Sequence, residues 1–447
     1  GSGIPTSFSI DTSVSDQIVF DGLLAGGEFA SKTVSEDLAN LPDGWVFFAA
    51  FCVEDGDQNT SVSGATANIV LDPNETVTCI FDNIRVAELR LVKNVTTDDG
   101  GDAVADDWTL SATAPAPNDS LNFSNAGGSG TFTEVVYNVP YTLAESGPGG
   151  YSAGSWSCDG GTPGGGSTIT LAPGDRVTCE ITNDDVAPTL KLVKIVDNGD
   201  GGDAVADDWT LTATAAAPDD GRNISTPGGS GVFETVFANT SYTLAETGGP
   251  DGYAAGSWSC DGGALTGDTL TLDEGETGVT CEITNDDDAP TLKLVKNVTT
   301  DDGGDAVADD WTLTATAAAP FDTRNISTPG GSHDFEAVFA TQTYTLAETG
   351  PGGYSAGSWS CDGGMQVMNT ITLAAGQDVT CEITNDDIAP TLKLVKNVTT
   401  DDGGDAVADD WTLTATAAAP DDGRNISTPG GSGVFETVFA NTSYTLA

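Results

Sequence analysis

A lysine, a glutamate and an asparagine recur together in this chain, each in phase with the apolar residues of a predicted strand. Lys194, for example, alternates with Leu190 and Leu192. Alternation places all three side chains on inner faces. An unpaired charge there is costly, so they are expected to contact one another. The three sets are Lys93, Glu145 and Asn183; Lys194, Glu246 and Asn285; and Lys296, Glu348 and Asn385.

Burial would give such a cluster a definite chemistry. An apolar environment lowers the pKa of a lysine and raises the pKa of a glutamate. The result is a neutral amine, which is a nucleophile, beside a carboxylic acid that can transfer protons. Lysine is otherwise rare, which indicates that the inner lysines have a specific use. Outside the three sets and Lys396, the lysines are Lys32 and the outward-facing Lys191, Lys293 and Lys393.

Eight cysteines form four sequential pairs with nearly constant spacing. One pair per sequence unit predicts four disulfides formed in an oxidising compartment. Zinc binding is the alternative, but His333 is the one histidine of the chain and no CxxC motif occurs, which argues against it. The predicted pairs are Cys52 with Cys79, Cys158 with Cys179, Cys260 with Cys281, and Cys361 with Cys381.

Residues 280–296, TCEITNDDDAPTLKLVK, close one sequence unit and open the next. Similar junctions occur at 178–194 and 380–396, with a degenerate version at 78–93. A repeat of roughly a hundred residues is the size of one small domain. The predicted domains are an atypical first module without a first strand (1–85), three full repeats (86–187, 188–288 and 289–389) and an incomplete fourth repeat (390–447). Short linkers containing Pro188, Pro290 or Pro390 predict a semi-rigid line of domains.

The charge balance excludes several classes of partner. Fourteen basic and 68 acidic residues give a formal net charge of −54, which opposes binding to nucleic acid or to an anionic membrane surface. No phosphate-binding loop, Ser/His/Asp set or histidine cluster points to an enzyme. The sequence shows no signal peptide, membrane-spanning run or lipidation motif. Because its cysteines indicate secretion, we expect a mature protein or an excerpt of one.

Within each repeat, short segments of alternating character are separated by Gly, Pro, Asp and Asn clusters. This pattern is typical of an all-β, Ig-like sandwich of two sheets. Trp258 lies two residues from Cys260 and therefore on the same strand face. We expect that tryptophan to pack against the disulfide.

The lysine of the first strand, the segment YTLAETGGPDGY (242–253) and the late Asn285 together resemble the prealbumin-like, Cna B-type (SpaA-like) modules of Gram-positive pilins and surface adhesins. The resemblance covers every full repeat. It implies tandem prealbumin-like sandwiches in which the lysine amine attacks the asparagine amide, ammonia leaves and the glutamate shuttles protons. The product would be an autocatalytic isopeptide bond. The alternative is a buried Lys–Glu–Asn hydrogen-bond cluster that specifies strand register.

Acidic loops follow each first strand. If the first and last strands run parallel, as the isopeptide requires, these loops meet the Asp-Asp linker at one end of the domain. Oxygen ligands converging there would suit calcium, which is the one cofactor that we consider; a solvated acidic surface is the alternative. The candidate ligands are Asp98, Asp99, Asp102, Asp106, Asp107, Asp200, Asp203, Asp207 and Asp208.

The sequence also contains candidate glycosylation sites, in a sequon that chance also produces. They are Asn94, Asn223, Asn297, Asn325, Asn397 and Asn425.

These features predict an extracellular structural protein, the stalk or shaft of a cell-surface fibre. Its expected partners are copies of itself, joined head to tail by a strand donated to the first module, beside residues 77–83. If residues 1–14 of the same chain fill the edge beside residues 77–83, or if the sequence is cut from a longer array, the protein is a plain tandem-repeat stalk. An alternative is an adhesin whose first module binds a glycan or a protein of another cell through its aromatic residues. A third is a module of a secreted hydrolase. The aromatic residues are Trp45, Phe47, Phe48 and Phe51.

Overall fold

The computed structural model describes Val19, residues 31–42 and residues 44–447. The expectation for residues 1–14 lies outside the described residues. The chain forms two compact units. The first contains the described residues up to Pro188 together with 237–239 and 272–277, and the second contains the remainder.

Helical structure in the described part of the chain is confined to 3-10 segments of three or four residues. They are Leu38–Asn40, Ala105–Asp107, Asp119–Leu121, Ala206–Asp208, Asp219–Arg222, Ala308–Asp310, Phe321–Arg324, Ala408–Asp410 and Asp421–Arg424.

The first unit contains the first module and repeat 1. In the first module, β1, β4 and β3 form one sheet, and β2 and β5 form another. The strands of the first module are β1 (Lys32–Ser35), β2 (Trp45–Glu54), β3 (Ser61–Ser63), β4 (Thr66–Ile69) and β5 (Val77–Arg85). Those of repeat 1 are β6 (Ala87–Thr96), β7 (Thr109–Thr113), β8 (Phe123–Ala126), β9 (Thr133–Val135), β10 (Pro140–Ser146), β11 (Tyr151–Ala153), β12 (Ser157–Cys158), β13 (Thr162–Pro163), β14 (Thr168–Thr170) and β15 (Arg176–Asp185).

The strands of repeats 2, 3 and 4 all lie in the second unit. Repeat 2 has β16 (Thr189–Asp197), β17 (Trp209–Thr214), β18 (Ile224–Pro227), β19 (Glu234–Thr235), β20 (Tyr242–Gly248), β21 (Tyr253–Ala255), β22 (Ser259–Cys260), β23 (Ala264–Thr266), β24 (Thr269–Thr271) and β25 (Val279–Asp287). Repeat 3 has β26 (Thr291–Thr299), β27 (Thr312–Thr316), β28 (Ile326–Pro329), β29 (Glu336–Ala337), β30 (Thr343–Thr349), β31 (Tyr354–Ala356), β32 (Ser360–Cys361), β33 (Met365–Val367), β34 (Thr370–Thr372) and β35 (Asp378–Asp387). Repeat 4 has β36 (Thr391–Leu392), β37 (Thr412–Thr416), β38 (Ile426–Pro429), β39 (Glu436–Thr437) and β40 (Thr445–Leu446).

Each full repeat is a sandwich of two sheets, which confirms the predicted fold class. In repeat 3, one sheet has the order β29-β26-β35-β31, with β32 also paired to β35, and the other has the order β28-β27-β30-β34-β33. Strand alternation turns Leu292, Leu294 and Trp311 inward, where they join Tyr344 and Ile383 in the core. The outward positions of the same strands are largely threonine, glutamate and lysine, which keep the outer faces polar.

The first and last strands of each full repeat lie side by side and run parallel. In repeat 3, β26 and β35 pair over nine residues, from Thr291 opposite Asp378 to Thr299 opposite Asp386. The corresponding pairs are β6 with β15 and β16 with β25. The last strand leads almost directly into the first strand of the next repeat, since β25 ends at Asp287 and β26 begins at Thr291.

Disulfides link all four predicted cysteine pairs. In repeat 3, Cys361 on β32 faces Cys381 on β35 with a Cα–Cα distance of 4.1 Å. The bond thus joins neighbouring strands of one sheet and does not connect the two sheets. Trp359 and Cys361 belong to the same core. A closed loop of this length, 20 residues in repeat 3, contributes about 3 kcal/mol of stability through the entropy of the unfolded chain.

Candidate functional site: the buried lysine, glutamate and asparagine

The inner lysine and glutamate of each full repeat meet between the sheets, and in repeats 2 and 3 the asparagine joins them. In repeat 3, the Nζ of Lys296 lies 2.6 Å from Oε2 of Glu348. The Nδ2 of Asn385 donates to Oε1 of the same glutamate at 2.7 Å. The glutamate therefore bridges an amine and an amide that belong to the first and last strands, β26 and β35.

The other two full repeats have related arrangements. Lys194 and Glu246 approach to 2.5 Å, and Asn285 donates to Glu246 at 2.9 Å. In repeat 1, Lys93 and Glu145 approach to 2.6 Å, and Asn183 is buried. The structure thus brings each lysine into contact with the glutamate that the sequence predicts. In repeats 2 and 3 it adds the asparagine.

Strand register explains this convergence. In the parallel pair β26–β35, Lys296 lies opposite Ile383, and Asn385 is two residues further along. Residues two apart on a strand share a face, so the lysine and the asparagine are diagonal neighbours on the inner side. Glu348 reaches them from β30 of the opposite sheet, where it lies opposite Leu313.

The lysine side chains have no solvent-accessible surface in the three full repeats. Burial lowers the pKa of Lys93, Lys194 and Lys296, while the hydrogen bond and the charge of the partner glutamate act in the opposite direction. The amine also lies over a tryptophan ring, 4.8 Å from the centroid of Trp311 in the case of Lys296. Because burial favours the neutral amine, this environment suits a nucleophile.

The amide oxygen of the asparagine has no hydrogen-bond partner. Oδ1 of Asn183, Asn285 and Asn385 is buried and unpaired in the described part of the chain. An unpaired buried carbonyl is costly in free energy. The site therefore holds an amine, a bridging carboxyl group and an amide whose carbonyl group is not stabilised by any donor.

Sequence reasoning missed the glycine that makes room for the lysine. A Cβ added at Gly330 would lie 2.3 Å from the carbonyl oxygen of Ala308 and 2.6 Å from Cβ of Lys296. The equivalent glycines of the other repeats are equally crowded: Gly127, Gly228 and Gly430. These glycines lie in a repeated Pro-Gly-Gly or Ala-Gly-Gly segment, and that repetition was the one signal that could have identified them. From sequence alone, such a segment is interpreted as a turn.

Several of the predicted calcium ligands bind backbone groups. Asp106 accepts from the amide of Gly128 and Asp107 from that of Val104. Asp207 and Asp208 make the same contacts in repeat 2, and Asp200 forms an ion pair with Arg324. Asp102 and Asp203 are exposed. These aspartates therefore do not converge on one point.

The acid that holds the loop was not predicted. Asp387, at the end of β35, is 5% exposed and accepts hydrogen bonds from the amides of Asp302 and Gly304 at 3.0 and 2.6 Å. Asp185 and Asp287 make equivalent bonds. Hydrogen bonds to an ionised acceptor are the stronger kind, so this residue fixes the acidic loop to the last strand.

Two groups of three carboxylates have their oxygens within 4.8 Å of one another: Asp98, Asp99 and Asp185, and Asp301, Asp386 and Asp387. Of the nine candidate ligands named from the sequence, Asp98 and Asp99 belong to these groups; the other members come from the equivalent loop of repeat 3 and from the Asp-Asp linkers. The pKa of Asp386 is raised by burial and by the charges of Asp301 and Asp387. A cation would relieve that repulsion, so calcium stays a prediction.

We expect calcium to raise the unfolding temperature of repeats 1 and 3, because a ligand that binds the folded state stabilises it. Calorimetry of the full chain with calcium and then with chelator tests this. Asp301→Asn should abolish the effect in repeat 3, whereas Asp203→Asn, at an exposed residue outside the groups, should not. An unfolding temperature that responds to neither calcium nor chelator would identify the aspartates as a solvated acidic surface.

The six candidate glycosylation asparagines are all exposed. Three of them use their side-chain oxygen to accept a backbone hydrogen bond eight residues away: Asn223, Asn325 and Asn425. Glycosylation stays a prediction at each of these positions.

In the described residues, no helix is long and apolar enough to cross a membrane.

The sequence profile of the prealbumin-like fold domain matches four stretches of the chain: residues 85–181, 185–283, 287–383 and 387–447. None of the curated proteins compared with the chain matches it.

Among solved structures, the chain is similar to the Bacillus anthracis TIE protein, with 14% identity and a TM-score of 0.42 over 77% of this chain and 59% of that one. A pilus adhesin, SpaC, from Lactobacillus rhamnosus GG matches with 10% identity and a TM-score of 0.27 over 77% and 56% of the two chains. Two B repeat units of the collagen binding protein of Staphylococcus aureus match with 12% identity and a TM-score of 0.24 over 81% and 92%. The chain spans less than two thirds of the length of the first two proteins.

Proposed function

Because the chain belongs to the family of prealbumin-like fold domains, we propose that it is a structural, non-enzymatic protein of the cell surface whose repeats form the stalk of a fibre. One observation carries this proposal. The strand through which the chain enters a full repeat and the strand through which it leaves are parallel neighbours, as β26 and β35 are in repeat 3.

That arrangement suits a domain under tension. A pull along the chain reaches repeat 3 through β26 and leaves it through β35, so it slides one strand along the other. Hydrogen bonds of a parallel ladder are evenly spaced, and they carry such a load together. The contact between Lys296 and Glu348 adds a tie from β26 to the opposite sheet.

We further propose that the site joins the two strands covalently. The neutral amine of Lys296 attacks Cγ of Asn385, a new C–N bond forms and the Cγ–Nδ2 bond breaks. Glu348, which contacts both groups, takes a proton from the amine and delivers one to the departing nitrogen, which leaves as ammonia. The products balance as one amide and one ammonia, without an added reagent.

The mass of the intact protein tests the covalent step. We expect each full repeat to weigh one ammonia less than its sequence, after allowance for the disulfide hydrogens. Lys296→Ala should restore the missing mass in repeat 3. Lys293→Ala is the matched control, because its amine is outside the site and contacts the ring of Phe335. A reduced chain at its full calculated mass would leave only a hydrogen-bonded cluster.

Stretching single molecules from their ends tests the stalk function itself. With Lys296 joined to Asn385, the residues between them cannot extend, so repeat 3 should not lengthen under load. In the Lys296→Ala chain that repeat should open, each released residue adding about 3.6 Å, while the segment closed by Cys361 and Cys381 stays short. Lys293→Ala should behave as the parent chain. Opening of every repeat of the parent chain at low force would contradict a load-bearing role.

A second candidate function, adhesion by the first module, is favoured by an exposed apolar surface. On the sheet of β2 and β5, Phe51, Val53 and Ile80 are 45%, 59% and 38% exposed, and Trp45 and Phe48 are exposed as well. Contiguous apolar surface of this kind is typical of binding sites. Phe47, also predicted to take part, instead lies opposite Asn83 and is half-buried.

If this surface binds a glycan or a protein, the full chain should be retained on an array of cell-surface glycans and matrix proteins. The double variant Phe48→Ser and Phe51→Ser should lose that binding without loss of the fold, because both side chains are exposed. Met368→Ser is the control, since Met368 is an exposed apolar residue of repeat 3. Equal retention of all three proteins, or of none, would leave the stalk function alone.

A further inference from the structure

The first module reproduces half of the site found in the full repeats. Its strands β2 and β5 are antiparallel, with Cys52 opposite Cys79, as Cys361 lies opposite Cys381 in repeat 3. In repeat 3, the other edge of the last strand is occupied by the parallel lysine strand β26. In the first module, β5 pairs with β2 alone among the described residues.

The polar side chains of the first module also correspond to those of the full repeats. Asn83 donates its side-chain amide to Oε1 of Glu36, just as Asn385 donates to Oε1 of Glu348. In the full repeats, the second oxygen of the glutamate binds the lysine amine. The second oxygen of Glu36 is buried and has no hydrogen-bond partner among the described residues, and neither has Oδ1 of Asn83.

The module itself offers no lysine for this position. Residues 1–31 contain neither lysine nor arginine. Lys32 shares a strand face with Glu36, but four residues of strand separate the two by roughly 13 Å. Lys32 lies on β1, opposite Ile69, and forms no ion pair among the described residues. A lysine that meets this oxygen of Glu36 therefore has to come from outside the module.

We propose that the first module receives a lysine-bearing strand from a second copy of this chain, which pairs parallel to β5 and is captured covalently at Asn83. The proposal rests on the function proposed above. In the register of repeat 3, where Lys296 lies opposite Ile383, the incoming lysine lies opposite Phe81. Its amine meets Oε2 of Glu36 and attacks Cγ of Asn83; a C–N bond forms, the Cγ–Nδ2 bond breaks, and ammonia leaves.

The sequence pattern of the missing strand and the charge of the chain indicate that the strand comes from a second copy. The strand that fills this position in each full repeat has the pattern apolar-x-apolar-x-Lys, and this chain also carries the pattern outside the full repeats, from Leu392 to Lys396. Two copies with a net charge of −54 each repel one another at long range. Association therefore needs a local contact that pairs a buried carboxyl group with an amine, and an amide bond makes that contact permanent.

A labelled peptide of residues 289–299 serves as the donor strand, mixed with the full chain. We expect an adduct whose mass is the sum of the two minus one ammonia, and digestion should place the branch at Asn83. The same peptide with Lys296→Ala should form no adduct. Asn83→Ala should abolish the adduct, whereas Asn285→Ala, in a site already filled by its own Lys194, should not.

Absence of lysine-dependent binding would overturn the proposal, as would an edge of β5 already filled by residues 1–14. Lysine-dependent binding without loss of ammonia would overturn the covalent step. The mass of the free chain in the same spectra reports separately on the three full repeats. If the three full repeats have lost ammonia while Asn83 stays unreacted, the proposed function is intact and this inference alone is rejected.

Discussion

A lysine amine held inside an apolar sandwich is the constraint on which each full repeat depends. The lysine amine can stay there only with a carboxyl group at hydrogen-bond distance, and Glu348 supplies it from the opposite sheet. The lysine also needs the room that a glycine, Gly330, leaves beside its Cβ. The outer surface, which carries most of the negative charge, imposes no comparable geometric demand.

Alternation and repetition were enough to predict the fold and the members of the buried cluster. Lys194, Glu246 and Asn285 follow the period of their strands, and a period of two assigns an inward face without knowledge of the partners. The roles of Asp287 and Arg324 could not be predicted in this way. Asp287 binds amides of a loop far away in sequence, and no periodicity records which of many acidic residues will meet a backbone group or an arginine.

The acidic loop has a structural task that its composition hides. In the second unit, Asp200 accepts through its carbonyl oxygen from the amide of Ala340 and pairs through its side chain with Arg324, both in repeat 3. Asp302 makes the same two contacts with Ala440 and Arg424 of repeat 4. The loop thus connects consecutive repeats, and the prolines that suggested short linkers account for only part of how these repeats are held together.

Parallel pairing of the first and last strands also affects how such a chain can change in length. A repeat like 289–389 enters at one end of its sandwich and leaves at the other, and its sheets are completed within its own sequence. Gain or loss of one whole copy by recombination between near-identical gene segments would break no strand pair and create no unfilled core. The length of the array can therefore change in steps of one domain while the fold of the other repeats stays the same.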